Sequence, residues 1–292
     1  MSLPKILLFG KVGQVGWELR RTLAPLAHVA CVDYPEVDFT APQSIRRHIA
    51  DTAPDIIINA AAFTAVDKCE TETALAMTIN GEAPGVMAEE ARRRGALLVH
   101  YSTDYVYDGT KHTPYVETDA TNPLSAYGRT KLAGDEAIRR AGCDHLIFRL
   151  CWVYGARGSN FMLTMQRLAR EREKLRVVAD QVGCPTWSRM IAEITAQALR
   201  QVRGPADARA LTGTYHLASS GYTSWHGFAS AIIDLMPLDS RKCREVEAIT
   251  SAEYPTPTRR PAYSVLSCAK LASTFGLRLP DWRESLAQVV ER

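Results

Sequence analysis

Lys5-Ile6-Leu7-Leu8-Phe9-Gly10-Lys11-Val12-Gly13-Gln14-Val15-Gly16 is the stretch from which the fold is read. Its first five residues make a short apolar run, typical of a strand buried on both faces of a parallel sheet. After the glycines, Trp17 to Leu23 places apolar residues at Trp17, Leu19 and Leu23 and reads as a helix. A glycine turn between a first strand and a first helix reverses the chain tightly and lets the helix pack on the strand. It also lets a pyrophosphate approach the backbone, where the helix N-terminus offers N–H groups without partners. The spacing is G-x-x-G-x-x-G, which an ordinary strand–helix turn can also show. Its place between the first strand and a helix favours dinucleotide binding at the turn of Gly10, Gly13 and Gly16.

The same alternation continues outward. His28 to Val32 is a second strand, ending in Asp33 about 20 residues past Gly13, where a carboxylate can take the adenosine ribose hydroxyls. A loop acid at a strand end is the equal alternative. Lys11 pulls the other way, since a cation there can welcome a 2′-phosphate, so NADH and NADPH both stay open. Asp38 and Phe39 can bracket an adenine, or Phe39 can belong to the core. Pro42 to Ala50 reads as a helix with proline in its first turn, and Ile56 to Asn59 as another buried strand. At that strand's carboxyl end Ala60, Ala61 and Ala62 are small enough for a cofactor to lie against the backbone. Glu72 to Arg94 is helical, with a break expected near Gly81 to Gly85. Ala96 to His100 is a fourth strand, Asn122-Pro123 opens a helix reaching about Ala141, and Asp144 to Cys151 is a fifth strand.

Strand and helix repeated in this way specify an α/β fold: a Rossmann-type, doubly wound parallel sheet with helices on both faces, over residues 1–150. Residues 151–292 read as a smaller, irregular α/β lobe for substrate, with some segments expected to return to the first domain. Helices are expected at Asn160 to Arg172, Trp187 to Arg203 and Ser224 to Leu235, and strands at Arg176 to Ala179 and Gly213 to Leu217. The proline-rich stretch Tyr254 to Pro261 has neither period and reads as a loop, either a linker or a cover over the unreactive part of a substrate.

Bulk properties exclude several function classes. A net charge of +3 over 292 residues gives no reason to expect nucleic acid or an acidic membrane surface. No apolar run approaches the ~18 residues of a membrane span, and no charged-then-apolar leader is visible ahead of Lys5. The 7 cysteines are odd in number and lack metal-ligand spacing, so free thiols in a reducing, cytoplasmic compartment are expected.

The chemistry points to Tyr127-Gly128-Arg129-Thr130-Lys131. Tyrosine and lysine four apart lie on one helix face. A phenol with a reference pKa of about 10 is a poor neutral-pH catalyst, and a neighbouring ammonium is expected to pull it down. In a chain with 11 tyrosines, chance spacing on a solvated face is the bland alternative. The glycine turn and a hydroxyl at Ser102 or Thr103, placed to bond a substrate carbonyl, complete what a nicotinamide-dependent carbonyl reductase needs.

Together Gly10-x-x-Gly13-x-x-Gly16, Ser102-Thr103 and Tyr127-x-x-x-Lys131 resemble the extended short-chain dehydrogenase/reductases, within them those that reduce dTDP-linked 4-keto sugars. The resemblance runs nearly end to end, through Ala65-Val66-Asp67, Tyr101 to Val106, Ser125 to Gly134, Arg149 to Tyr154 and Tyr254-Pro255-Thr256-Pro257 with Arg260-Pro261. It implies NADPH or NADH as cofactor and reduction of the 4-keto group of dTDP-4-dehydro-6-deoxy-L-mannose to dTDP-L-rhamnose. Tyr127 would protonate the carbonyl oxygen, Lys131 would hold the nicotinamide ribose, and Thr103 would orient the carbonyl. The resemblance further assigns Gly13, Gln14, Val15, Asp33, Asp38, Phe39, Ala62, Phe63, Thr64 and Tyr101 to the cofactor, and Thr103, Asp104 and Trp152 to the sugar nucleotide. Some members dimerise through magnesium held by glutamates. Glu18 matches one such position, but Arg189 puts a cation where those members carry an acid, so no bound metal and no magnesium-bridged dimer are expected, while a homodimer remains compatible. The alternatives are an extended-family epimerase or dehydratase and a non-catalytic NAD(P)-sensing subunit. No glutamate pair stands beside Thr103 for a dehydratase, and the presence of Thr103, Tyr127 and Lys131 together favours an active reductase.

Overall fold

The computed structural model describes residues 3–290. Strands β1 (Lys5–Phe9), β2 (His28–Val32), β3 (Ile56–Asn59), β4 (Leu97–Thr103) and β5 (His145–Leu150) form a parallel sheet with a sixth strand, Gly213–His216. The order across the sheet is Gly213–His216, β5, β4, β3, β1, β2. The chain leaves β1 for β2 on one side and returns to β3 on the other. The crevice between the carboxyl ends of β1 and β3 is therefore the switch point where such sheets bind ligands.

Alternate residues of each strand feed opposite core layers, as the period of two requires. Ile6 and Leu8 pack with Leu19 and Leu23 of helix α1 (Gln14–Leu23) on one face. Leu7 and Phe9 pack on the other with Ile45 and Ile49 of α2 (Pro42–Thr52). Gly10, at φ 88°, is confined to glycine twice over: a Cβ there would stand 2.5 Å from Ala60 C and Ala61 N.

The expected break in Glu72 to Arg94 is a π turn instead. Helix α3 (Thr73–Met77) runs through π-helical Thr78–Glu82 into α4 (Ala83–Arg94). Pro84, which has no N–H to give a helix ladder, lies directly after the π turn, where the ladder changes register. Helix α5 (Ala126–Ala141) starts four residues later than the Asn122-Pro123 signal. Ser125 caps it, its Oγ accepting from Gly128 N at 3.1 Å, while Asn122 N bonds Val106 O. Strand β4 continues through Thr103, beyond the His100 limit read from the sequence, because residues 97–103 are all buried and Leu98 to Thr103 pair with β5.

In the second half, α6 (Phe161–Glu171) is capped by Asn160, and α7 (Ser188–Leu199) returns to pack against α1 beside the sheet. The strand expected at Arg176 to Ala179 is Lys174–Val178, and its parallel partner Glu245–Ile249 was not visible in the sequence. Nor were the helices Pro205–Leu211, Ala269–Phe275 and Trp282–Val290, which are short or weakly patterned. A separate core of Tyr154, Met165, Val177, Phe228 and Trp282 holds this lobe together. Among the described residues no helix is long and apolar enough to cross a membrane.

Candidate active site

The glycine turn fits a dinucleotide on its own geometry. A Cβ at Gly16 would fall 1.9 Å from Gly10 O, so Gly16 is required by the packing of the turn. Gly13 differs: a Cβ there would meet only Gly10 O at 3.5 Å and Ala60 O at 3.9 Å, ordinary contacts. The packing of the chain itself therefore does not demand a glycine at this position. Helix α1 starts at Gln14 with no side-chain cap and no acid in its first turn, leaving its leading N–H groups to an anion. Asp33 caps the turn instead, its Oδ2 accepting from Val12 N at 2.9 Å.

Across the crevice, the π turn positions the segment after β3. It turns Asn80 inward, where Oδ1 accepts from Phe63 N at 2.8 Å and Nδ2 donates to Phe63 O at 3.1 Å and to Thr130 Oγ1 at 3.2 Å. Asn80 thus bolts the Ala62-Phe63-Thr64 segment to the helix that carries Tyr127. π turns gather at functional sites for this kind of reason.

Tyr127 lies on the first turn of α5, half-buried among Phe63, Cys69 and Ala76, its ring edge-on to Tyr105 at 5.6 Å. The alternation along β4 decides between the two hydroxyls: Thr103 is beside Tyr127, while Ser102 is beside Asp135, two turns further along the same helix and buried. Thr103 Oγ1 donates to Asp104 Oδ1 at 3.0 Å, and Cys151 Sγ donates to the other oxygen of that carboxylate at 3.2 Å. Burial pushes Asp104 up to about 6, with its hydrogen bonds to Ser264, Cys151 and Thr103 opposing.

Lys131 corrects an expectation. Its side chain is buried and reaches the backbone of β4, where Nζ donates to Tyr101 O at 2.7 Å and meets His100 Nε2 at 3.2 Å. Burial lowers Lys131 to about 8, and burial with the neighbouring lysine charge keeps His100 neutral. The phenol of Tyr127 is not pulled down by this ammonium. Burial first, then the Asp104 charge, raises it, and the Thr103 hydroxyl pulls the other way. A shared helix face puts Tyr127 and Lys131 at one site without putting the two polar ends in contact.

Other expected positions divide. Tyr101 turns its hydroxyl into the core onto Thr195 Oγ1, 2.8 Å away, so only its backbone reaches the site. Phe39 is a core residue, edge-on to Phe9 at 6.0 Å, and the Asp38 carboxylate closes a turn on Thr40. Trp152 sits at φ 44°, its indole stacked on Trp225 at 3.5 Å and its other face against Gly183, where a Cβ would fall 2.5 Å from the ring. Trp152 therefore offers an edge, not a face. Glu18 is near Arg21 at 3.7 Å and Arg189 near Glu193 at 3.6 Å. Sequence reasoning missed Asn80, His100 and Asn160. The last donates to Gln14 Oε1 at 3.0 Å and ties the second half to the glycine turn.

The proline-rich stretch roofs a cleft of about 1350 Å³ between the two halves, with Trp225, Asp108 and Arg176 in its walls. Tyr127 is not in that lining. The cleft reaches it through Arg260, which donates to Asp67 at 3.3 and 3.4 Å and stands beside Tyr105, the ring packed on Tyr127.

With this geometry in hand, known proteins resemble the chain closely. The RmlD substrate binding domain family matches residues 4–292. A dTDP-4-dehydrorhamnose reductase of Burkholderia thailandensis is 49% identical over 98% of both chains. The chain belongs to the dTDP-4-dehydrorhamnose reductase family. The Escherichia coli K12 reductase is 43% identical over 98% of this chain and 96% of its own. A Bacillus anthracis reductase solved in complex with NADP superposes with a TM-score of 0.91 at 31% identity over 100% of both chains. Membership makes this chain an oxidoreductase that works with a nicotinamide cofactor.

Proposed function

We propose that this chain reduces the 4-keto group of dTDP-4-dehydro-6-deoxy-L-mannose to dTDP-L-rhamnose. The observation that carries the reading is the convergence of Tyr127, Thr103 and Lys131 at the carboxyl ends of the strands, beside the switch-point crevice. The nicotinamide cofactor, when bound, supplies the hydride. Thr103 donates to the ketone oxygen and aligns it, and Tyr127 delivers the proton that the new alkoxide takes. A phenol kept protonated by burial is in the right state for that transfer. Lys131 would hold the nicotinamide ribose, and the nucleotide end of the substrate would lie in the cleft under residues 254–261.

Cytoplasmic location fits the seven free thiols. Any dimer forms without a magnesium bridge, since Glu18 faces Arg21 and Arg189 supplies a cation. Light scattering with magnesium and with a chelator should give one mass.

Turnover of the dTDP-linked 4-keto sugar, followed by loss of the reduced nicotinamide's absorbance, tests the main reading. Tyr127→Phe should lose most of the rate while cofactor affinity persists. An undiminished rate in that variant removes the proposed acid. Competition by dTDP, UDP and GDP tests the nucleotide, with dTDP expected to bind tightest.

A further inference from the structure

We propose that Glu36 sets the choice of dinucleotide, making this chain favour the cofactor without a 2′-phosphate. The proposal rests on reading the glycine turn as the cofactor site.

Lys11 is the cation of that turn, and Glu36 holds it: Nζ lies 2.7 Å from Oε1 and 2.5 Å from Oε2. The same carboxylate accepts from Asp33 N at 3.2 Å, and Asp33 in turn accepts from Val12 N at 2.9 Å. Lys11, Asp33 and Glu36 thus interlock at the edge where folds of this kind receive the adenosine ribose. An acid at this edge suits free ribose hydroxyls, and a free cation suits a 2′-phosphate. Here the one ammonium is already paired with Glu36, and the Asp33 carboxylate stands next to it along the edge, on Val12 N and Tyr34 N. An incoming phosphate monoester, carrying nearly two negative charges, must face Asp33 and Glu36 and compete for Lys11. The pair is half-exposed and contributes little to folding. Its effect is a difference between two ligands that share every other contact, which is the form specificity takes.

Arg20 makes the direction of the test clear. It lines the same shallow surface as Lys11, on the outer side of β2, and both cations act on Cys31. Removing the Glu36 charge leaves Lys11 free beside Arg20, a setting for a phosphate. Glu36→Gln keeps an acceptor for Asp33 N and deletes only the charge.

Dissociation constants for NADH and NADPH, and for adenosine 5′-monophosphate and adenosine 2′,5′-bisphosphate, should be measured on the full chain by fluorescence and calorimetry. The wild type should bind NADH more tightly than NADPH. Glu36→Gln should tighten NADPH and the bisphosphate by about tenfold relative to NADH and the monophosphate, and adding Lys11→Gln should cancel that gain. Equal or tighter NADPH binding by the wild type, or an unchanged ratio in Glu36→Gln, overturns the proposal while the cofactor site stands. Failure of the wild type to bind either dinucleotide overturns the site and the proposal together.

Discussion

Gly128 lies directly against the carbonyl oxygen of Tyr105: a Cβ on Gly128 would stand 2.2 Å from it. The residue after the proposed acid is therefore bare so that helix α5 can press onto the turn leading out of β4, which carries Thr103 and Asp104. Gly128→Ala forces the two apart. Overpacking of this kind costs about 1–3 kcal/mol. Thermal unfolding should register that loss, and kcat should fall further than cofactor affinity, because only the Tyr127–Thr103 spacing is altered.

Asn80 makes three side-chain hydrogen bonds while buried, two of them to the backbone of Phe63. Asn80→Ala strands these partners, at a cost of about 1–3 kcal/mol. The freed segment faces the crevice, so the dissociation constant for the dinucleotide should rise more than the KM for the sugar nucleotide. Calorimetric titration of each ligand distinguishes the two.

Asp104 is held at about 6 by burial, above the ordinary value of 3.8. Between those values the folded chain binds more protons than the unfolded one, so this group lowers stability as pH rises from about 4 to 6, and the loss persists above. A shift of this size corresponds to about 3 kcal/mol. Asp104→Asn should therefore be more stable than wild type at pH 7 and no more stable near pH 4. Its turnover should drop, since the carboxylate stands next to Thr103. Denaturant unfolding across pH checks the sign.

Lys131, lowered to about 8 by burial, carries its charge below that pH and loses it above. Cofactor affinity should be flat up to about pH 8 and weaken beyond it. Lys131→Met should bind weakly at every pH, without that limb.

Arg260 and Asp67 link the proline-rich roof to the segment after β3, and Thr258 Oγ1 donates to Val66 O at 3.1 Å nearby. Both charged groups are partly exposed, so Arg260→Ala should change stability by less than about 1 kcal/mol. The KM for the sugar nucleotide should rise severalfold, with dinucleotide affinity unchanged. Steady-state kinetics with each substrate varied in turn provides the measurement.

The sequence by itself determined the parallel sheet, the glycine turn and the helix carrying Tyr127 and Lys131. Those features are local: apolar runs, glycine spacing and a four-residue offset depend on neighbours along the chain. The tertiary structure alone decided which of Ser102 and Thr103 faces Tyr127, and that Phe39 and the Tyr101 hydroxyl are core. It alone decided that Lys131 reaches the β4 backbone rather than the phenol, and that Asn80 locks Phe63. The strand Gly213–His216 joins β5 from more than 60 residues away, and the roof at 254–261 closes on Asp67 from farther still. Such contacts are settled by which faces meet when two halves of a chain pack, and no period within either half records that.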